Sequence, residues 1–488
     1  MPSPRELICR PYCAYHKPDA KEEMACGGLT RIAPVLEKHP EVIPILTSGP
    51  KARFKNLYPH FFHHLLCRNC DFFIDGCDFT DPAFTDPALP CGGYVAIDAL
   101  LQRAPYLEPL ILKALMSDTL PISLNSRCTL KQIEVLHLYH MERDELYELD
   151  EKSFAFLSKC DGDHTLSALS ADMPFLDFCF QEGLLCLGTD CKLPTFRLRP
   201  SPKPSLRYLE IQLTNRCNLH CRHCYLGPSG TRDLPVASAR SALEEFETMQ
   251  GLRVLFSGGE PLLYPGLAEL VQTLPSLAIR KVLLTNGTLL REHNHGIWRH
   301  FDEIQFSLDG LKEGHEALRG PNSFGKTLRG IKTAKAKGTP VSIATMVHSH
   351  NLEEFDRLAT LVAELGAVEW SIDVPCTTGR LSAYPEFIVS PEAGAPLLRH
   401  AFGGSYHGAE EDYACGYHLC TISPRGDVLK CGFFDEAPLG TLGEGLEASW
   451  QRARHLRLAE IECSSCAHIA ECKGGCRFRA NTPLGKDP

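Results

Sequence analysis

The sequence predicts an α/β protein built around a partial (β/α)6 barrel, with a small winged-helix-like α+β module before the barrel and a cysteine-rich region at each end. Six apolar runs of strand length alternate with helical patterns between residues 206 and 375, as in a parallel sheet covered by helices. Glycines and polar residues end several of these runs. The 488-residue chain also holds 23 cysteines, which occur in separate groups.

Length and composition bound the class of protein. The length suggests three or four domains at roughly 100 to 200 residues each, and the 44% hydrophobic and 23% charged fractions exclude a disordered or collagen-like chain. A net charge of −10 argues against nucleic acid as a partner. The sequence has no apolar run near 18 residues and no apolar signal core, which predicts a cytoplasmic protein without a membrane partner.

Residues 1–118 are predicted to bind an additional Fe–S cluster or a zinc ion, because dense thiol groups in a reducing compartment are more often ligands than disulfides. Two loosely similar blocks end in Cys-Gly-Gly, where glycine permits a tight turn around an ion. The candidate ligands are Cys9, Cys13, Cys26, Cys67, Cys70, Cys77 and Cys91. A small core with buried free thiols is the alternative. Residues 54–66 between the blocks predict a helix. We interpret its three histidines, His60, His63 and His64, as packing or surface residues, and metal ligation is the alternative.

Residues 124–190 have the order of a small winged-helix module. KQIEVLHLYH (131–140) and DELYELD (144–150) alternate like strands, and two helical patterns follow them. The segment resembles the peptide-recognition element of bacterial peptide-modifying enzymes, in which a leader peptide adds a strand to the edge of a sheet. A DNA-reading winged helix and a plain spacer are the alternatives. The proline-rich segment 191–205 predicts an extended linker.

The barrel is predicted over residues 206–400, with its chemistry at the carboxyl ends of the strands. Directly after the first strand stand Cys217, Cys221 and Cys224. Three thiolates on a short loop suit a [4Fe–4S] cube and leave one iron without a protein ligand. Packing thiols on a helix are the alternative, which the polar flanking residues disfavour.

This Cys-x3-Cys-x2-Cys motif is the signature of the radical SAM superfamily, which the sequence resembles. The resemblance implies that S-adenosylmethionine (SAM) binds the open iron and is cleaved by one electron to methionine and a 5′-deoxyadenosyl radical, which abstracts hydrogen from the substrate. It implies that Gly258, Gly259 and Glu260 hold the methionine amino group. It also places three strand-end residues, Asn286, Ser307 and Asp309, near the ribose and the methionine carboxylate. It places His223 near adenine. Ordinary turn chemistry is the alternative for the three strand-end residues.

The segment 401–488 resembles the SPASM domain, which binds auxiliary [4Fe–4S] clusters; a zinc ribbon is the alternative. The resemblance assigns cluster I to Cys415, Cys420, Cys431 and Cys476, and cluster II to Cys463, Cys466 and Cys472. No cysteine follows Cys476, so the fourth ligand of cluster II is left unassigned.

One solitary cysteine, Cys376, follows the sixth barrel strand. The resemblance to peptide epimerases suggests that it donates hydrogen to a substrate radical, and a buried strand-end thiol is the alternative. The sulfatase-maturing branch of the family has an Asp base after the equivalent of Cys431, where this chain has Gly432.

The resemblance therefore implies a maturase that modifies a ribosomally made precursor peptide. The expected modification is a crosslink, a thioether or an epimerised residue. Its expected partners are that peptide with its leader and an electron donor of the flavodoxin or ferredoxin type. A maturase of a protein target and an enzyme of a small-molecule or tetrapyrrole pathway are the alternatives. A multi-cluster electron carrier or Fe–S sensor is disfavoured, since it has no use for a SAM-holding Gly-Gly-Glu segment.

Overall fold

The computed structural model describes residues 3–15, 26–48, 53–68, 70–73, 77–80, 88–116, 121–169, 172–188, 198–404, 412–480, 482 and 484–487. The chain divides into two compact units, one formed by residues 1–128 with 149–193 and the other by residues 129–148 with 194–488. Residues 191–197 of the predicted linker lie outside the described residues. The predicted five-segment organisation stays a prediction, and the segment 124–190 contributes residues to both units.

The strands are β1 Pro121–Leu124, β2 Cys128–Gln132, β3 Leu136–His140, β4 Glu145–Glu148, β5 Asp161–Thr165, β6 Leu185–Leu187, β7 Tyr208–Thr214, β8 Arg253–Gly258, β9 Arg280–Thr285, β10 Glu303–Ser307, β11 Val341–Met346, β12 Glu369–Asp373, β13 Leu419–Ile422, β14 Asp427–Leu429 and β15 Gly440–Thr441. The helices are α1 Pro4–Tyr12, α2 Gly27–Lys38, α3 Ile43–Thr47, α4 Pro59–Phe62, α5 Gly92–Arg103, α6 Glu108–Leu115, α7 Glu151–Leu157, α8 Met173–Gln181, α9 Val236–Thr248, α10 Leu267–Leu270, α11 His295–Trp298, α12 Lys312–Arg319, α13 Phe324–Ala336, α14 Phe355–Leu365, α15 Pro391–Gly394, α16 Leu446–Trp450 and α17 Ile469–Cys472. None of the described helices is long and apolar enough to cross a membrane.

The larger unit is built on a nine-stranded sheet in the order β12-β11-β10-β9-β8-β7-β13-β14-β15. Strands β7 to β12 are parallel neighbours in chain order, as the alternation of apolar runs and helical patterns predicted, and the partial (β/α)6 barrel is confirmed. Strand β13 extends the sheet by pairing in parallel with β7. The side chains of Leu209, Ile211 and Leu213 on β7 are fully buried in the core. Because strand side chains alternate in direction, Glu210 and Gln212 face the barrel interior.

A second sheet of this unit has the order β2-β3-β4. The run 131–140 was predicted as one strand, but it forms β2 and β3, since residues 133–135 turn the chain. Ile133, Tyr139 and Met141 pack with Leu252 and Ala278 in a small apolar cluster. One edge of this sheet is covered, because Ser201 donates its N–H to the carbonyl of Gln132 (2.9 Å).

The smaller unit contains α1 to α8 and an antiparallel sheet in the order β5-β1-β6. The helix predicted over residues 54–66 begins only at Pro59 and continues as a π-helical turn, His63–Cys67. Asn56 and Tyr58 have left-handed backbone (φ 57° and 52°), which interrupts any helix before Pro59, and proline suits a first helical position. The ring of His64 lies 4.8 Å from that of Phe180, in line with a packing role.

Candidate functional site

A cavity of about 210 Å³ opens at the carboxyl ends of β7 to β10. Most of the predicted cluster and SAM-binding residues line it: Cys217, Cys221, Cys224, His223, Gly258, Gly259, Asn286 and Ser307. The cavity also has lining residues that were not predicted, among them the polar residues Glu210, Tyr225, Arg319 and Arg380. The parallel sheet thus brings together residues that lie up to about 170 positions apart in the chain.

The three cysteines lie on an irregular loop, not on a helix. Two contacts anchor the loop: Arg222 donates its N–H to the carbonyl of Leu318 (2.9 Å), and Arg380 donates its N–H to that of Cys224 (3.0 Å). Burial raises the pKa of Cys221 to about 11, and nearby Arg319 opposes that rise. Three thiols on one wall fit a cluster that leaves an iron open. In the described part of the chain, no three His, Cys, Asp or Glu side chains are placed to hold a single metal ion.

Two glycines let the end of β8 lie directly against the cysteine loop. A Cβ on Gly258 (φ +132°) would meet the carbonyl oxygen of Thr214 at 2.3 Å, and one on Gly259 would meet that of Arg216 at 2.2 Å. The N–H of Gly259 donates to the same Thr214 carbonyl (2.8 Å). Any side chain here would push the strand end away from the cysteines, so these glycines set the cavity wall.

Glu260 is fully buried and holds the β9 loop. Its carboxylate accepts from the hydroxyl of Thr285 (2.8 Å) and from the N–H of Asn286 (2.9 Å). The side chain of Asn286 in turn donates to Asn218 (3.0 Å) on the cysteine loop. Burial raises the pKa of Glu260, and these donors oppose that rise. Contact of Glu260 with the methionine amino group stays a prediction; in the structure its carboxylate holds the β9 loop, and Asn286 connects that loop to the cysteine loop.

Asp309 and Arg319 form a buried ion pair through Arg319 Nε. Burial would raise the pKa of Asp309, but Arg319 outweighs it and the pKa is well below its usual range. Met346 also donates its N–H to this carboxylate (2.8 Å). Contact of Asp309 with SAM stays a prediction; in the structure its carboxylate pairs with Arg319, which is one of the residues that line the cavity.

The same arginine contacts the cysteine loop. Its Nη1 lies 3.9 Å from Sγ of Cys221, and its Nη2 lies 3.5 Å from Nε2 of His223. Since a guanidinium only donates, Nε2 accepts and the histidine proton lies on Nδ1, which is buried and has no partner among the described residues. Burial and Arg319 lower the pKa of His223 to about 3, so it is neutral. An enclosed N–H donor in the cavity wall fits the predicted position of His223 beside a bound ligand.

Glu210 is a carboxylate inside the barrel that sequence reasoning missed. It accepts from the hydroxyls of Tyr225 (3.3 Å), Thr421 (2.9 Å) and Ser257. A Cβ on Gly432 would lie 3.2 Å from its Oε2. The alternation of β7 was the available signal, since Glu210 is a charged residue between two apolar ones.

A second, larger cleft of about 800 Å³ adjoins this cavity. The two share Asn215, Tyr225 and Leu226. Three phenylalanines and an ion pair line the larger cleft: Phe433, Phe434 and Phe478, with Arg425 and Asp435. The cleft of about 800 Å³ has room for a larger ligand than the cavity of about 210 Å³ has.

Three thiols of the predicted cluster I lie near one another, and a fourth cysteine joins them. Cys415, Cys431 and Cys476 interact electrostatically. The thiol of Cys376 donates a hydrogen bond to Cys476, which lowers the pKa of Cys476 to about 6. Cys420 is fully buried in the core on β13, opposite Leu209 of β7, and its place in cluster I stays a prediction.

The remaining cysteines of this segment are closer to solvent. Cys463 and Cys466 form a turn in which the N–H of Cys466 donates to the carbonyl of Cys463 (3.0 Å). Cys472 ends α17 and is exposed. These three thiols stay the predicted ligands of cluster II.

Comparisons with known proteins agree with the geometry of the cavity. The model of the radical SAM superfamily matches residues 211–362. Mycofactocin maturase MftC of Mycobacterium ulcerans (strain Agy99) is 30% identical over 319 residues, which cover 57% of this chain and 86% of MftC. AdoMet-dependent heme synthase of Oleidesulfovibrio alaskensis is 26% identical over 336 residues, which cover 58% of this chain and 85% of the synthase.

The fold of Streptococcus suis SuiB, in its crystal structure bound to S-adenosylmethionine, is also similar. It has a TM-score of 0.53 at 16% identity and covers 75% of this chain and 99% of SuiB. The matched residues 211–362 include the cysteine triad and the strand ends that form the cavity. The chain therefore belongs to the radical SAM superfamily and is an enzyme that uses SAM and a [4Fe–4S] cluster.

Proposed function

We propose that this enzyme modifies a ribosomally made precursor peptide after abstracting hydrogen from one of its residues. The observation that carries the proposal is the 800 Å³ cleft joined to the SAM cavity at Asn215, Tyr225 and Leu226. A bound peptide segment in this cleft would reach the cavity in which the radical forms. Similarity to the maturase MftC supports a peptide substrate.

The β2-β3-β4 sheet supports recognition of the leader. Strand β4 pairs with β3, and among the described residues no further strand pairs with its outer edge. The opposite edge, on β2, is held by the segment around Ser201. An extended leader segment that pairs with β4 would gain backbone hydrogen bonds. These bonds do not require a side-chain pocket for every residue of the leader.

The cluster ligands and two charged residues of the cavity would take part in the radical chemistry. Bound to Cys217, Cys221 and Cys224, the cluster would supply the electron that cleaves SAM to methionine and the 5′-deoxyadenosyl radical. Arg319, held by Asp309, places a fixed positive charge beside the Cys221 thiolate. Glu210 lies between the SAM cavity and Gly432 of the larger cleft, where a carboxylate can accept the proton that an oxidised product must lose.

The thiol positions support one ligand set for auxiliary cluster I. Cluster I would be held by Cys415, Cys431, Cys476 and Cys376, with Cys420 left as a core residue. One thiol cannot both bind iron and donate hydrogen, so this ligand set opposes the predicted donor role of Cys376. It favours oxidative modification, in which an auxiliary cluster accepts an electron, over redox-neutral epimerisation.

The test uses anaerobically reconstituted enzyme with dithionite and SAM. We expect 5′-deoxyadenosine, and we expect the triple variant Cys217→Ala/Cys221→Ala/Cys224→Ala to lose it together with about four iron atoms per chain. Co-expression with a short peptide encoded beside the gene should change the mass of that peptide. A flavodoxin or ferredoxin should replace dithionite, as expected in a reducing cytoplasm.

A tetrapyrrole is the second candidate substrate, because AdoMet-dependent heme synthase is similar over 58% of the chain. Incubation with an iron-containing tetrapyrrole precursor distinguishes the two candidates. A mass change of the tetrapyrrole, with none in the peptide, would overturn the peptide proposal and leave the radical chemistry intact.

A further inference from the structure

The smaller unit contains a cavity of about 20 Å³ that lies outside the SAM site. Four cysteines line it: Cys67, Cys70, Cys77 and Cys91. The other lining side chains are mostly apolar and aromatic: Leu66, Phe73, Phe79 and Pro90, with Thr80. Four thiols that converge on a small, largely apolar cavity are the complete protein ligand set of an Fe–S cluster or a zinc ion.

The backbone around this cavity is shaped to present sulfur. Cys67, Cys70 and Cys77 each begin a tight turn, because their carbonyls accept from the N–H groups of Cys70, Phe73 and Thr80 (each 3.0 Å). The thiol of Cys70 also accepts from the N–H of Gly27 (3.2 Å). Backbone donors of this kind commonly stabilise metal-bound sulfur.

The two Cys-Gly-Gly sequences lie next to each other, and this contact positions Cys91, the fourth candidate ligand. Cys26 and Cys91 cap the N-termini of the 12-residue helices α2 and α5. The helices touch at their glycines, since a Cβ on Gly93 would lie 2.1 Å from the carbonyl carbon of Gly28. The thiols of Cys26 and Cys91 are hydrogen-bonded to each other.

The other glycine of each Cys-Gly-Gly sequence packs closely against a cysteine. A Cβ on Gly27 would meet Cβ of Cys70 at 3.1 Å, and one on Gly92 would meet Cβ of Cys13 at 2.8 Å. The two loosely similar cysteine blocks of the sequence therefore form a duplicated arrangement, in which each Cys-Gly-Gly helix start lies against a cysteine of the other block. Close packing of this kind explains why glycine follows both cap cysteines.

The geometry favours a cluster over a single ion. A zinc ion draws four sulfurs to about 2.3 Å from one point, whereas a [4Fe–4S] cube holds each cysteine at a different iron. Within the described ranges, no three cysteines are close enough to hold one ion. The same holds for the triad Cys217, Cys221 and Cys224, which the family uses for a [4Fe–4S] cluster. Separated thiols around one cavity are therefore the expected pattern of a cluster site.

We infer that Cys67, Cys70, Cys77 and Cys91 bind a further [4Fe–4S] cluster, separate from the SAM cluster and from the clusters of the C-terminal segment. All four irons have a cysteine ligand, so this cluster has no open position for substrate. Cys26 lies beside Cys91 but does not line this cavity, so it is not assigned as a ligand.

The experiment compares full-length chains reconstituted with ⁵⁷Fe and sulfide. The double variant Cys67→Ala/Cys70→Ala removes two proposed ligands. Its matched control, Cys160→Ala/Cys186→Ala, removes two thiols of the same unit that do not line the cavity. We expect the first variant to lose about four iron atoms and four sulfides per chain relative to wild type, and the control to lose neither.

Iron and sulfide contents equal in all three chains would overturn the site, and loss of one zinc with iron unchanged would overturn the cluster. If the double variant does not fold, the single variant Cys77→Ser decides. An oxygen ligand at one iron should alter the Mössbauer spectrum of a fully cysteine-ligated cluster, and an unaltered spectrum would contradict the assignment. Production of 5′-deoxyadenosine in the same samples tests the SAM cluster separately.

Discussion

The thiol of Cys376, three residues after β12, is hydrogen-bonded to the thiol of Cys476 in the C-terminal cysteine-rich segment. Arg479 reinforces this connection, because its Nη1 donates to the carbonyl of Val374 (2.9 Å) and its N–H donates to the carbonyl of Cys476 (3.2 Å). The loop after the sixth barrel strand is thereby fixed beside the thiols proposed for auxiliary cluster I.

The first prediction follows from this contact. The Cys376→Ala variant should change the EPR and Mössbauer signals of the auxiliary iron, because it removes a proposed ligand. The Cys420→Ala variant should keep both signals, since its thiol is buried in the barrel core. Altered signals in Cys420→Ala together with wild-type signals in Cys376→Ala would reverse the assignment. Loss of solvent deuterium from the product of Cys376→Ala, with unchanged iron signals, would restore the donor role.

The second prediction concerns the buried pair of Asp309 and Arg319. The Arg319→Met variant leaves a buried carboxylate unpaired, which should lower the free energy of unfolding by about 3–5 kcal/mol at pH 7. The control Arg454→Met removes an exposed partner of Glu460 and should cost about 0–1 kcal/mol. Denaturant unfolding measures both.

The pH dependence of this effect has a definite sign. The pKa of Asp309 is lower in the folded chain than in the unfolded one, so the pair stabilises the fold above the unfolded value of about 4. That stabilisation is lost as the pH falls from about 4 toward the folded value. The difference in unfolding free energy between wild type and Arg319→Met should therefore shrink in acid. A constant difference down to pH 3 would contradict this account of the pair.

The third prediction tests Glu210 as the proton acceptor. A positioned base contributes about 10²–10⁴-fold to a rate, so Glu210→Gln should lower the ratio of modified peptide to 5′-deoxyadenosine by about 100-fold or more. Glutamine keeps the size of the side chain and one of its two acceptor oxygens; in Glu210, Oε1 accepts from Tyr225 and Oε2 accepts from Thr421. The exposed residue Glu269 provides the control, Glu269→Gln. An unchanged ratio in Glu210→Gln would rule out the base role.

The fourth prediction tests the edge of β4 as the leader site. Glu148 is the exposed last residue of β4, and proline there removes a backbone donor and blocks the addition of a strand. Glu148→Pro should weaken binding of a labelled leader peptide by about tenfold or more, measured by fluorescence anisotropy. Glu148→Ala keeps the N–H and should bind as wild type does. Equal affinities in both variants would place the leader elsewhere.

Local patterns were sufficient for the barrel and the cluster loop. All six strands were predicted from apolar runs, because a parallel strand buried on both faces is apolar along most of its length. The cysteine triad was found from its spacing, and Gly258 and Gly259 were found from the resemblance to the family's Gly-Gly-Glu segment; all of them line the cavity.

Local sequence patterns did not predict the contacts between residues that are distant in the chain. Arg319 was missed because its place in the cavity depends on its pairing with Asp309. It is the last residue of α12, and the sequence of that helix does not indicate that its end is buried. The helix predicted over residues 54–66 starts late because two left-handed residues precede Pro59, and only the backbone shows them.

The sequence by itself determined the radical SAM barrel, its cysteine triad and the presence of two further groups of thiols. The tertiary structure decided which thiols meet. Cys420 fits the expected spacing but faces the core because of strand alternation, while Cys376, 100 positions from Cys476, reaches it through the end of β12. Spacing along a chain constrains ligands on one loop, but ligands from different elements are selected by the sheet and helix contacts that bring those elements together.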